Sequence, residues 1–390
     1  MNYTERFPQQ GLNSNLKSST PVAPPIALAS ILEGPFVENL LEDTLDSDSG
    51  KIWDDIILGP LKEFLKVPGK SLRKDFVELG WKLAWTLKQK TSDHSQTNHS
   101  LNSYKVIPTC PKELILLVEL LHAGSLIIDD IEDQSLLRRG QPCLHIQLGL
   151  PKALNLGNWL YFVSANMIET LTVDQKVKAN LHSRLNRVML RCHQGQAIDL
   201  SYQVSKMSRK DLKSVTELST KLKTGVLVGF ATQIGAIYLD LDKETNQYLY
   251  DFGETIGLSL QMYDDLSGLL NEKRWHKGCE DLGKQRLTWV WSLLAENSQI
   301  NDQKFTELIE QLSNLSLEAD KSTPSGTVSP SWQNAARSLQ TDIIRYLDGA
   351  PQAVKNKISQ AVEQLNKNLV YEDLSLITSK AIHKLQNSFI

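Results

Sequence analysis

Four acids fall within five positions of LHAGSLIIDDIEDQSLLRRGQPCLH: Asp129, Asp130, Glu132 and Asp133. A second pair, Asp264 and Asp265, sits in LSLQMYDDLSGLL. Carboxylates gathered in one place repel each other unless a cation is shared between them. Mg2+ suits such a gap, because it prefers oxygen ligands, keeps several waters and is commonly shared with a substrate phosphate. Basic residues recur as well: Lys70 and Arg73 in VPGKSLRKD, Arg138 and Arg139 just after the first acids, and Lys223 in KTG. Arginine forks and lysine point charges bind phosphate oxygens. Taken singly, each acid pair is equally consistent with a solvated or capped helix end, and a lone Lys or Arg is most often a solvated surface charge.

The elements that must position these groups read as helices. Asp129 and Asp133 are four apart and share a helix face, with Asp130 offset by one position. KELILLVELLHAGSL is apolar on nearly every face, and DLKSVTELSTKLKTGVLVGFATQIGAIYL and YLYDFGETIGLSLQMYDDLSGLL keep a three-to-four-residue period over long spans. Both acid pairs therefore end mostly apolar helices, where negative charge opposes the macrodipole and a purely structural role is uncomfortable. Strand and hairpin signals are nearly absent. The fold class expected is all-α, a bundle of ten or more helices, and no fixed-period repeat supports a solenoid.

Polar segments punctuate the pattern: a tail to about Pro25, a loop over Thr91–Pro111, and SLEADKSTPSGTVSPS from Ser316 to Ser331. The division expected is a flexible extension over 1–50, a catalytic bundle over 51–315, a loop over 316–335 and packed helices over 336–390. With 41% hydrophobic residues in 390, the chain can bury a sizeable core. A net charge of −3 provides no global field for nucleic acid or acidic membranes. Cys110, Cys143, Cys192 and Cys279 lack metal-ligand spacing, which fits reduced thiols and a cytoplasmic location. The longest apolar stretch, Gly225–Leu239, is shorter than the roughly 20 residues a bilayer span needs.

From Gly59 to about Thr288 the sequence resembles the trans-isoprenyl diphosphate synthases of the polyprenyl synthetase family. DDIED through RRGQPCLH follows the family's DDxxD…RRGxPxxH, PGKSLR its GGKxxR, GQAIDL its GQxxD, KTG its KT motif, and LQMYDDLSG its FQxxDDxxD. One DDxxD is a weak signal; the motifs in family order are a strong one. The departures are Gly268 at the last acid of the second motif, Arg286 in place of Lys, Ile128 in place of His, Pro68 in place of Gly and Lys74 in place of Pro. Gly268 leads to an expectation of weaker metal binding rather than inactivity.

The resemblance implies an isoprenoid synthase-type helical bundle around a deep cavity, a homodimer, and three Mg2+ per active site. It implies Asp129, Asp133 and Asp264 as metal ligands supported by Asp130 and Asp265. Arg138 corresponds to an allylic diphosphate contact, Arg286 to a diphosphate contact, and Lys70, Arg73, His122 and Arg139 to the isopentenyl diphosphate site. Lys223, Thr224 and Gln261 would line the reacting carbons. The reaction implied is Mg2+-assisted ionisation of an allylic diphosphate, attack by isopentenyl diphosphate and loss of a proton. Small residues just before Asp129, Gly124 and Ser125, suggest an open tunnel with Leu121, Leu117 and Val118 deeper, and a product of twenty carbons or longer. The alternative is a class I terpene cyclase on the same fold, which would not need the isopentenyl diphosphate site; a non-catalytic partner subunit would not need the intact first motif.

Overall fold

The structure, a computed structural model, describes residues 28–32, 40, 49–67, 72–93, 107–271, 278, 281–320 and 330–369. Lys70, Pro68, Cys279 and most of the N-terminal extension lie outside the described residues. The chain divides into two compact units, Met1–Lys66 and Val67–Ile390. In the first unit, α1 (Ser49–Trp53) runs through a π-helical stretch at Asp54–Leu58 into α2 (Gly59–Lys66). Leu58, Leu61 and Leu65 are buried there, and Lys62 pairs with Asp54 at 2.9 Å.

The second unit is helical as expected. Its helices are α3 (Leu72–Asp93), α4 (Lys112–Glu132), α5 (Leu144–Leu148), α6 (Leu150–Asn166), α7 (Gln175–Ser201), α8 (Leu212–Thr220) and α9 (Val226–Tyr238). There follow α10 (Lys243–Leu270), α11 (Trp289–Glu296), α12 (Asp302–Asp320), α13 (Pro330–Tyr346) and α14 (Ala350–Leu369). Side-chain caps start several of them: Asp174 accepts from Val177 N and Asp242 from Thr245 N, both at 2.8 Å. Helix α12 continues to Asp320 and α13 starts at Pro330, so the expected loop over 316–335 is helical at both ends. Proline at a first helical position loses no hydrogen bond, which reconciles Pro330 with a helix start.

One small strand element escaped the sequence reading. Leu137–Arg138 pairs antiparallel with Gln141–Pro142. The two linking residues, Arg139 and Gly140, have φ of 53° and 79°, the positive values that a two-residue hairpin turn of type I′ requires. RRGQP is a hairpin too short to show alternation.

Helix α9 is the axis of the core. Every residue from Val226 to Ile237 is buried, which explains an apolar run that is not a membrane span; no described helix is long and apolar enough to cross a bilayer. Of the polar residues inside it, Thr232 Oγ1 donates to Leu249 O at 2.8 Å and Gln233 Nε2 to Asn246 O at 2.9 Å, while Gln233 Oε1 is buried without a hydrogen-bond partner among the described residues. Helices α3 and α10 pack on α9 so closely that glycine is the only residue with room. A Cβ on Gly80 would overlap the Thr232 carbonyl, and one on Gly235 would come within 3.0 Å of Trp81 Cα. Gly80→Ala should therefore cost about 1–3 kcal/mol, measured as a lower urea midpoint at unchanged slope; a wild-type midpoint would contradict this contact.

Candidate active site

The first acid cluster closes α4. Asp133 is its C-cap and returns its backbone N–H to Asp129 O at 2.8 Å. The clustered acids do different work. Asp130 is only 2% exposed and is locked to Arg138, with Nε to Oδ2 at 2.6 Å and Nη2 to Oδ1 at 2.6 Å. The same guanidinium lies 3.6 Å from Asp129 Oδ2. Burial works against the Arg138 charge, but Asp130 and Asp129 outweigh it and hold its pKa above the ordinary value. The short hairpin is the device that turns Arg138 back onto the end of α4.

Two further cations reach the cluster from other elements. Lys223 stands on a π-helical turn, Lys221–Gly225, inserted between α8 and α9. Such wide turns are rare and concentrate at functional sites. Its Nζ is 2.7 Å from Asp199 Oδ2 and 3.2 Å from Asp129 Oδ1. Burial disfavours this ammonium, yet Asp199 and Asp129 outweigh the penalty and keep it protonated. Asp129 mirrors it: burial would raise its pKa, and Lys223, Arg138 and a 3.2 Å hydrogen bond from Gln196 bring it below the usual carboxylate value. Arg286 Nη1 lies 2.7 Å from Asp133 Oδ2. Gln196 also donates to Glu132 at 2.7 Å. Gln196 and Asp199 belong to GQAIDL, whose three-residue spacing put both on one face of α7, although the sequence reading assigned neither a role.

The second acid pair diverges inside the fold. Asp264 is half-buried, close enough to Arg73 and Asp265 to bias their charges. Asp265 turns inward: its Oδ1 accepts from Gln261 Nε2 at 2.9 Å and its Oδ2 from Trp289 N at 2.8 Å. Burial pushes its carboxyl up to about 7 against the pull of those two bonds. Gln261 Oε1 in turn accepts from Thr224 Oγ1 at 3.3 Å. Gly268, the missing acid, is a packing contact: a Cβ there would stand 3.1 Å from Gly278 Cα. The motif's last position is taken up by the backbone of the segment that follows.

Arg73, His122 and Arg139 lie close enough to bias one another's charges. Burial, then Arg73, Arg138 and Arg139, press the His122 pKa well below its ordinary value, so the ring is neutral. Burial lowers Arg73 to about 10, with Glu119 opposing. Arg73 Nε is buried without a hydrogen-bond partner among the described residues. Arg139 Nη1 donates to Val67 O at 2.7 Å.

The wall before Asp129 corrects the sequence reading. Gly124 does not face open space. A Cβ there would stand 2.8 Å from Gly157 O and 3.1 Å from Tyr161 Cδ1, both on α6. A Phe at Gly124 would wedge α4 from α6 rather than fill a tunnel. Ser125, in line with Asp129 on the helix, donates Oγ to His122 O at 2.8 Å and stays half-buried. Leu121, Leu117 and Val118 are buried. The bulky group at this level is Tyr161, whose ring meets His193 of α7 edge-on at 5.7 Å and whose hydroxyl pKa is raised by burial, Glu132, Cys192 and Asp129. Gly124 inside an apolar helix was the available signal, since such a glycine marks a close backbone approach.

Among the described residues no three carboxylate, histidine or thiolate groups stand together as a preformed metal cage. Lys223 and Arg286 instead pair with Asp129 and Asp133. The donor set itself is all hard oxygen, which fits a Mg2+ that arrives with its own water and phosphate ligands. Buried Arg73 Nε supplies the complementary need for an anion.

Comparison with known proteins agrees with the helical fold and the motif order. The Polyprenyl synthetase family pattern matches residues 54–322. The chain is 26% identical over 239 residues to a copalyl diphosphate synthase of Talaromyces verruculosus, covering 60% of this chain but 22% of that protein. It is 27% identical over 261 residues to geranylgeranyl pyrophosphate synthase atmG of Aspergillus flavus, covering 66% of this chain and 67% of that one. A geranylgeranyl pyrophosphate synthase from Corynebacterium glutamicum, solved with isoprenyl diphosphate and magnesium, has the same fold. It superposes with TM-score 0.63 at 20% identity, over 92% of this chain and 96% of that one. The pattern spans well over half the chain and contains both acid motifs, and this chain belongs to the polyprenyl synthetase family.

Proposed function

We propose that this chain condenses isopentenyl diphosphate with an allylic diphosphate, yielding a product of twenty carbons. The observation that carries the reading is the pairing of two differently built anion sites. One combines hard carboxylates with Lys223 and Arg286; the other gathers Arg73, Arg139 and neutral His122. A cyclase acting on one preformed diphosphate needs only the first. The likeness to geranylgeranyl pyrophosphate synthases supports the product length.

Asp129, Asp133 and Asp264 would hold Mg2+. When bound, it supplies Lewis-acid neutralisation of a leaving diphosphate. Lys223 and Arg286 exchange their carboxylate partners for diphosphate oxygens as the site fills. Arg138 stays on Asp130 and fixes the end of α4. Arg73 and Arg139 hold the second diphosphate, so that the double bond of isopentenyl diphosphate faces the allylic C1. The oxygens of Thr224 and Gln261 present dipoles to the positive charge that develops there. A carbon–carbon bond forms at C1, the diphosphate leaves, and a proton lost from the isopentenyl unit passes to the released diphosphate. Tyr161 forms the floor against which the hydrocarbon stops.

A second copy of the chain covers the exposed apolar side chains of α6 and α7, Phe162 at 75% and Leu190 at 68% exposure.

The assay is wild-type protein with isopentenyl diphosphate, each allylic diphosphate and Mg2+, with products weighed by mass spectrometry. Asp129→Ala and Asp264→Ala should lose turnover by orders of magnitude while keeping their melting curves, and chelation should abolish it; full activity in either variant would contradict the metal assignment. Asp130→Ala should behave differently, because it strands a buried guanidinium: a loss of about 3 kcal/mol in metal-free urea denaturation, against near-wild-type stability for Asp129→Ala. Tyr161→Ala should lengthen the product by at least one isoprene unit, and an unchanged mass would remove Tyr161 from the floor.

A further inference from the structure

We propose that Asp265 serves the reaction as a positioning residue rather than as a metal ligand: it fixes the side-chain amide of Gln261 so that the amide oxygen faces Thr224 and the reacting carbons. The inference rests on the prenyltransferase reading and assigns the second acid motif a divided job.

The geometry forces the orientation. An ionised carboxylate only accepts hydrogen bonds. Asp265 Oδ2 accepts the backbone N–H of Trp289, the first residue of α11 and one of the donors a helix start leaves unpaired. With Asp265 ionised, Oδ1 accepts from the Gln261 amide nitrogen at 2.9 Å. The amide oxygen must then point the other way, where Thr224 Oγ1 donates to it at 3.3 Å. A chain of polar contacts thus runs from the start of α11, through α10, to the π-helical turn that carries Thr224. Gln261 and Asp265 are four apart, which puts them on one face of α10.

The rest of the motif agrees. Gly268 is closed off by the backbone of Gly278, and Asp265 is engaged through both oxygens. That leaves Asp264 as the motif's carboxylate for a metal. Trp289 is itself held, its indole Nε1 donating to Thr220 Oγ1 at 3.1 Å, so the anchor of Asp265 is rigid.

Substitution by asparagine reverses the arrangement without changing its shape. In Asp265→Asn the new side chain must still accept from Trp289 N–H, so its amide nitrogen faces Gln261. Gln261 then flips, and an N–H dipole replaces the oxygen beside Thr224. Asp265→Asn should lower kcat by about 10²-fold. The double variant Asp265→Asn/Gln261→Glu should recover at least about tenfold of that loss, because a carboxylate can accept from the introduced amide and still present oxygen to Thr224.

The discriminating measurement is calorimetric binding of inorganic pyrophosphate in the presence of Mg2+, alongside kcat and melting curves. Asp265→Asn should bind within about twofold of wild type, whereas Asp264→Asn should lose at least about tenfold. Binding lost equally in both variants, or a double variant no faster than Asp265→Asn, overturns the proposal. Should Asp265→Asn melt early, Gln261→Met removes the same oxygen with Asp265 intact, and it too must lose kcat while keeping pyrophosphate binding. A wild-type protein that binds Mg2+–pyrophosphate but condenses nothing would instead reject the prenyltransferase reading.

Discussion

Carboxylates drawn from several elements into one cavity repel, and the low dielectric of a protein interior strengthens that repulsion. This chain answers with cations of its own. Arg138 holds Asp130, Lys223 bridges Asp129 and Asp199, and Arg286 holds Asp133. Most of these pairs link parts of the fold that are distant in sequence. The cluster is therefore an internally neutralised ion network. In the reaction proposed above, metal and diphosphate carry the same two signs of charge and would replace the internal pairs in kind.

Much of the unusual local structure serves this network. The hairpin tip with its positive-φ pair Arg139–Gly140 turns Arg138 onto the end of α4. The π turn at Lys221–Gly225 brings Lys223 to two carboxylates at once. Asp265 ties the start of α11 to α10. The rigid background is α9, buried throughout and approached by glycine-backed helices. In the proposed reaction, a close-packed frame of this kind would let the ion pairs change partners while the helices keep their places.

Chemistry-bearing residues were legible in the sequence because their spacing is short and local. DDIED, RRG, KTG and GQAIDL each fall on one element, and the helical period says which members share a face. Direction across elements was not legible. Asp264 and Asp265 are neighbours in sequence with separate surroundings, and nothing local says that Asp265 will meet the backbone N–H of Trp289. Gly124 looked like empty space because a small side chain suggests room. In the fold it marks the opposite, backbone packed against Gly157 with the Tyr161 ring of the same neighbouring helix beside it. Gly268 carried an expectation of weaker metal binding, and the fold adds that this position packs against Gly278. The Gly124 error comes from a tertiary approach distance, which no periodicity encodes.

If the ion network works as an exchange, internal cations occupy the carboxylates until a diphosphate draws those cations away. Electron paramagnetic resonance of Mn2+ as a Mg2+ surrogate tests this directly, by titrating the wild-type protein with and without a non-ionisable allylic diphosphate analogue. The exchange predicts weak Mn2+ binding to the protein alone and tight binding once the analogue is present. Mn2+ bound equally tightly in both titrations would contradict it, because the acid cluster would then be a preformed metal site and its ion pairs would have no part in gating it.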